Sequence, residues 1–162
     1  MVEAMEAIQD PEVSLDQKMI AFDNFELLIE QLDNANNIEN LKLWEPLISM
    51  LSSPESELRR MAAWCCGTAV QNNEKSQAAF NAHNGVPKLL ELALKDPANE
   101  VRKKAVYALS SQIRNSPEAL KVVLDGLPEE LSPGKELTAD DMEGIGALMT
   151  RLRERVSKVI SQ

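Results

Sequence analysis

The chain has 162 residues, a formal net charge of -9, 44% hydrophobic and 4% aromatic residues, and two cysteines. One domain with a sizeable core is expected at this length, and the negative charge argues against a nucleic-acid backbone or an anionic membrane as the main partner. No apolar run approaches the ~20 residues that span a bilayer, and MVEAMEAIQD at the start is no signal-peptide core, so a cytosolic or nuclear location is expected, the cytoplasm first.

In chain order, Val2–Ile8 reads as a short capping helix. Ser14 follows as an N-cap, with Gln17 three residues on completing a capping box. Leu15, Met19, Phe22, Phe25 and Leu28-Ile29 recur at three-to-four spacing, an apolar helical stripe. Asp33–Asn37, DNANN, reads as a loop, because Asn and Asp side chains bond their own backbone. Ser53-Pro54, Asp96-Pro97 and Ser116-Pro117 each place a capping oxygen before a proline at the first helical position, where the missing N–H costs nothing. Stripes follow at Leu58, Ala62, Cys65-Cys66 and Val70, and at Val101, Ala105, Ala108-Leu109 and Ile113. Asn84-Gly85 and Asp125-Gly126 end helices. LSPGKEL, 131–137, is a linker. Thr138 is expected to cap the last helix, whose stripe runs Met142, Ile145, Met149, Leu152, Val156 and Val159 to an end at Ile160, with Arg151, Arg153, Glu154, Arg155 and Lys158 opposite.

Two stretches restate each other. SPESELRRMAAW, from Ser53, and DPANEVRKKAVY, from Asp96, stand 43 residues apart and match in physical type. Leu43–Leu47 likewise precedes Val86–Leu90 by 43. Helical periods of about 40 to 47 residues mark armadillo or HEAT arrays. The expected fold is therefore all-α, an armadillo-repeat solenoid with capping helices at both ends. Its body spans 1–131, its linker 132–137 and its C-terminal cap 138–162. A single unit cannot bury its apolar face, so like helices stack. The third helices then align as a concave ladder with three rungs: Phe22, Trp64 and Tyr107; Glu26, Thr68 and Ser111; Ile29, Gln71 and Arg114. Phe22 is expected in the core.

Catalytic signals are poor. The single histidine, His83, leaves no general-base network and reads as a helix-end residue. Adjacent Cys65 and Cys66 point about 100° apart, a poor disulfide geometry, and read as buried apolar groups. No phosphate-binding glycine loop is present, and the carboxylates fall on expected exposed faces. The expectation is a protein-binding surface, with no enzyme activity, cofactor or metal.

Residues 21–51, AFDNFELLIEQLDNANNIENLKLWEPLISML, with GTAVQNN at 67–73 and VRKKAVYALSSQIRN at 101–115, resemble the armadillo-type nucleotide exchange factors of the cytosolic 70-kDa heat-shock chaperones, most closely the short fungal members. The resemblance implies a monomeric co-chaperone that grips one lobe of the chaperone's ATPase domain, so that ADP leaves, ATP enters and client is released. Family members also carry a flexible N-terminal segment linked to client release; the chain begins at the helical body, so that segment is expected to be missing. The implied contacts are the concave ladder (Glu26, Trp64, Thr68, Gln71, Tyr107, Ser111 and Arg114) together with Asp33, Asn34, Ala35, Asn36, Asn37 and Asn40. The alternative is an armadillo adaptor for an extended peptide. That class would carry Asn where Thr68 and Ser111 stand.

Overall fold

A computed structural model describes residues 1–158. Among them the chain forms α1 (Val2–Gln9), α2 (Leu15–Ile29), α3 (Leu32–Asn40), α4 (Trp44–Ser49), α5 (Ser56–Val70), α6 (Glu74–Ala82), α7 (Gly85–Lys95), α8 (Asn99–Ile113), α9 (Pro117–Gly126) and α10 (Met142–Lys158), with 3-10 turns at Met50–Ser52 and Glu129–Leu131 and no strand. Two complete units each set two shorter helices before a long one, α3, α4 and α5, then α6, α7 and α8; the expected order of short then medium holds in the second unit only, since α4 is the shortest helix of the first. The long helices α2, α5 and α8 pack side by side, α1 covers the outer side of α2, and α10 covers α8. Their shared stripe is dry: Phe22, Phe25, Ile29, Met61, Cys65, Cys66, Ala105, Leu109 and Ile113 are all fully buried. Burying one Leu or Phe side chain contributes about 1.5–3 kcal/mol, so the stack is stabilised chiefly by these contacts.

The junctions repeat as faithfully as the helices. Asn72 and Asn115, 43 residues apart, both take left-handed backbone just after α5 and α8. Asparagine tolerates that conformation because its short side chain bonds locally. Lys42 and Asn84 do the same between the first and second helices of each unit. Arg59 and Arg102, again 43 apart, hold the turns ahead of the long helices: Arg59 Nη1 donates to the carbonyls of Ser53 and Pro54, at 2.9 and 3.0 Å, and Arg102 Nη1 to those of Asp96 and Pro97, at 2.7 and 3.1 Å. Each arginine then reaches forward. Arg59 grips Asp96 through Nε and Nη2, at 2.7 and 3.1 Å, while Arg102 Nε donates to the carbonyl of Val156 on α10 at 3.0 Å.

Several sequence expectations are corrected. DNANN is helix, not loop: α3 runs through it, because Ala35 and Ile38 bury one face against the body. Ser53 and Asp96 do not cap α5 and α8, which start two residues later behind Glu55 and Ala98. Ser53 Oγ and Asp96 Oδ1 instead accept from the N–H two residues on, closing the turn. Ser116-Pro117 does open α9 with proline at its first position, but Ser116 Oγ accepts from Asn81 Nδ2 and caps nothing. For α10 the cap is Asp141, whose Oδ1 accepts from Gly144 N at 2.9 Å; Thr138 bonds Asp140. Leu28 and Met142 leave their stripes and are exposed. Val159 and the expected end at Ile160 lie outside the described residues. The segment 132–141 is irregular, with bends at 134–135 and a turn at 139–140, yet buries Leu137 and Ala139.

Candidate functional site

Where the C-terminal ends of α5 and α8 meet the start of α6, a cleft of about 700 Å³ opens, lined by Gln71, Asn72, Asn73, Glu74, Gln77, Tyr107, Ser110, Ser111, Arg114 and Asn115. Its polar lining follows from helix ends, where backbone groups lack intrahelical partners. Buried Gln77 satisfies three of them: its Nε2 donates to the carbonyls of Ser111, Gln112 and Arg114, at 3.1, 3.2 and 2.9 Å. Gln112, also buried, answers by donating to Gln77 O and Asn81 Oδ1, at 3.0 and 2.8 Å. This reciprocal lock fixes α8 against α6 and makes the cleft floor rigid.

The wall above is built on α5 and α8. Tyr107 lies over Gly67, where a Cβ would stand 2.5 Å from its ring. Its hydroxyl donates to Gln71 Oε1 at 3.4 Å. Lys104 Nζ sits 4.5 Å from the Trp64 ring centroid and 5.6 Å from that of Tyr107, attracted by the negative ring faces. Arg114 leans on Ser110 Oγ at 3.3 Å and on Met142 Sδ at 3.5 Å.

The three rungs are therefore not equivalent. Trp64, Thr68, Gln71, Tyr107, Ser111 and Arg114 line one accessible surface on α5 and α8. On α2 the same positions turn inward: Phe22 and Ile29 are core, and Glu26 is buried. Glu26 accepts a 2.9 Å hydrogen bond from Thr68 Oγ1, so that rung is tied directly across the helices. Glu26 and Asp96, both buried, also correct the expectation that carboxylates fall on exposed faces.

On α3, Asp33 and Asn40 are exposed and Asn34, Asn36 and Asn37 half-buried, but Ala35 is 2% exposed and faces the core, against its expected surface placement. Asn34 Nδ2 donates to Leu28 O, joining α2 to α3, and Asn40 Nδ2 donates to Asn37 Oδ1. Ser76 Oγ donates to Asn36 Oδ1 at 3.4 Å and accepts from Asn73 Nδ2 at 2.9 Å, which links the α3 face to the cleft rim.

Sequence reasoning missed Gln77, Ser110 and Gln112. The only signal was glutamine or serine interrupting an apolar stripe. His83 ends α6, where its Nε2 meets Glu39 Oε2 at 2.8 Å. Cys65 and Cys66 are buried thiols, and burial pushes both well above the usual thiol range. Among the described residues no cluster suited to a metal ion occurs, and no helix is long and apolar enough to cross a membrane.

The fold and cleft define an α-helical repeat solenoid with a rigid polar groove. The family model for HEAT repeats matches residues 44–134, and that for the nucleotide exchange factor Fes1 matches residues 1–38. Crystal structures of two engineered proteins share the fold at 20% and 19% identity, with TM-scores of 0.71 and 0.72; they cover 97% and 95% of this chain, and it covers 63% and 62% of them. The Hsp70 nucleotide exchange factor FES1 of Coccidioides immitis is 51% identical over 95% of this chain and 73% of its own length; that of Gibberella zeae is 53% identical over 91% and 70%. The chain belongs to the FES1 family of Hsp70 nucleotide exchange factors.

Proposed function

We propose that the chain is a co-chaperone that accelerates nucleotide exchange on a 70-kDa heat-shock chaperone by binding its ATPase domain. The observation that carries this is the 51% identity to a relative named for that activity, spread across nearly the whole chain. The structure supplies a physical means. Exchange requires binding an open nucleotide cleft more tightly than a closed one, since equal affinity shifts nothing. A stack locked by Arg59–Asp96 and Gln77–Gln112 resists bending, so it fits one lobe geometry and not both. The contact surface in this reading is Trp64, Thr68, Gln71, Tyr107, Ser111 and Arg114, with Asp33, Asn34, Asn36, Asn37 and Asn40 beside it. Ala35 and Glu26 act behind that surface. The chain works as a monomer in the cytoplasm, as a binding protein without turnover of its own.

The test is stopped-flow release of a fluorescent ADP analogue from the isolated ATPase domain. Acceleration at micromolar chain is expected; unchanged release would end the proposal.

A further inference from the structure

The net charge is not spread evenly. Residues 1–52 carry eleven acidic and two basic residues, while residues 53–162 carry fifteen of each, so the whole excess of nine negative charges belongs to α1 through α4 and their junctions. The same stretch holds six of the eight large apolar side chains left exposed among the described residues: Val2, Ile20, Leu27, Leu28, Leu32 and Leu41.

The two features coincide on α2. Ile20, Asn24 and Leu27 fall at four- and three-residue steps, so they share one helix face. Ile20 and Leu27 are 60% and 62% exposed, and Leu28 and Leu32, at 40% and 57%, carry the apolar surface round the turn into α3. Exposed Asp16, Asp23 and Glu30 flank it, and none makes an ion pair among the described residues. On α5 and α8 the core-facing positions meet another helix. The Ile20–Leu27 face of α2 is left open, while its other sides pack on α1, α3 and α5.

We propose that this apolar face of α2, with its fringe of unpaired carboxylates, is a second docking surface, separate from the α5–α8 cleft, for a basic amphipathic segment of a partner protein. Apolar side chains supply the buried contact and the carboxylates select lysine and arginine around it. A second copy of the chain would bring like charges together, and an anionic membrane or nucleic acid would be repelled. A basic helix with an apolar stripe satisfies both the greasy and the charged parts of the surface.

The test uses the whole chain and a labelled synthetic helix with leucine on one face and lysine and arginine on the other, followed by fluorescence anisotropy. Saturable binding is expected, weakening with added salt. Ile20→Ser with Leu27→Ser should weaken it by at least about tenfold, and Asp23→Lys with Glu30→Lys should weaken it and flatten the salt dependence. Glu118→Lys on α9 should change nothing. All these positions are exposed, so melting curves should match the native chain. Nucleotide release from the chaperone ATPase domain should be the same for native and variant chains, which separates this surface from the exchange activity. The proposal is overturned if the native chain does not bind the peptide, if the Ile20/Leu27 variant binds it as tightly, if a peptide with glutamate for lysine binds equally, or if sedimentation shows the native chain pairing with itself through this face.

Discussion

Thr68 Oγ1 donates a 2.9 Å hydrogen bond to Glu26 Oε1, joining α5 to α2 across 42 residues. Glu26 is 6% exposed, so its carboxylate depends on this donor. Thr68→Val should cost about 1–3 kcal/mol by leaving a buried acceptor unsatisfied, while Thr68→Ser, which keeps the hydroxyl, should cost less than about 1 kcal/mol. Urea midpoints at constant slope measure both.

Arg59 and Asp96 hold successive units together, with side chains 13% and 3% exposed. The hydrogen bond that Arg59 donates to Asp96 raises the Arg59 pKa further, so the guanidinium is charged at any working pH. Arg59→Ala strands a buried carboxylate and should destabilise by about 3–5 kcal/mol. Asp96→Asn retains an acceptor for Ala98 N and should cost less. An Asp96→Asn loss as large as that of Arg59→Ala would mean that the retained acceptor contributes nothing and the charge carries the joint.

Ser111→Arg and Ala35→Arg should fail in different ways. Ser111 is half-buried on the cleft wall, so Ser111→Arg should keep its melting temperature and lose at least about tenfold in affinity for the ATPase domain. Ala35 is a core position, so Ala35→Arg should lower stability by more than about 3 kcal/mol through a buried unpaired charge. Calorimetric binding beside thermal melts separates the two.

Gly67 gives Tyr107 its seat. A methyl there would stand 2.5 Å from Tyr107 Cε1 and 3.1 Å from the Ala108 Cα, which cannot yield easily. Gly67→Ala should destabilise by about 1–3 kcal/mol despite the better helix propensity of alanine, and should move the tyrosine fluorescence. Tyr107→Leu in the same background should recover part of the loss.

Burial raises the thiols of Cys65 and Cys66, and Cys66, Glu26 and Asp23 raise Cys65 further. In the folded chain both stay protonated where an unfolded thiol, with pKa about 8.5, ionises. Their contribution to stability is thus complete below that pH and declines as pH rises above it. Neither thiol should react with an aromatic disulfide reagent at pH 8 until the chain unfolds. Alkaline loss of stability should be shallower in the Cys65→Ala, Cys66→Ala variant.

The repeat was legible because each unit needs the same parts at the same offset: a turn proline, an arginine to hold that turn, alanines where long helices touch, and an aromatic at the groove. The cleft positions Gln71, Tyr107, Ser111 and Arg114 followed from counting along those units. DNANN misled because asparagine favours turns in isolation, whereas burial of Ala35 and Ile38 outweighs that local preference. The inward turn of α2 was illegible for a related reason. Which rung positions stay wet depends on how the first long helix rotates against its neighbours, and a stripe pattern leaves that rotation open. Gln77 and Gln112 become partners only once α6 meets α8.

Arg102 meets α10 through a main-chain oxygen, the carbonyl of Val156, whereas Arg59 requires the particular side chain of Asp96. A main-chain carbonyl is offered by any residue, whereas the contact made by Arg59 fixes the identity of a side chain in the next unit. The joint between the repeat units is thus written into one position, 96, whose carboxylate ties the turn of one unit to the long helix of the unit before it.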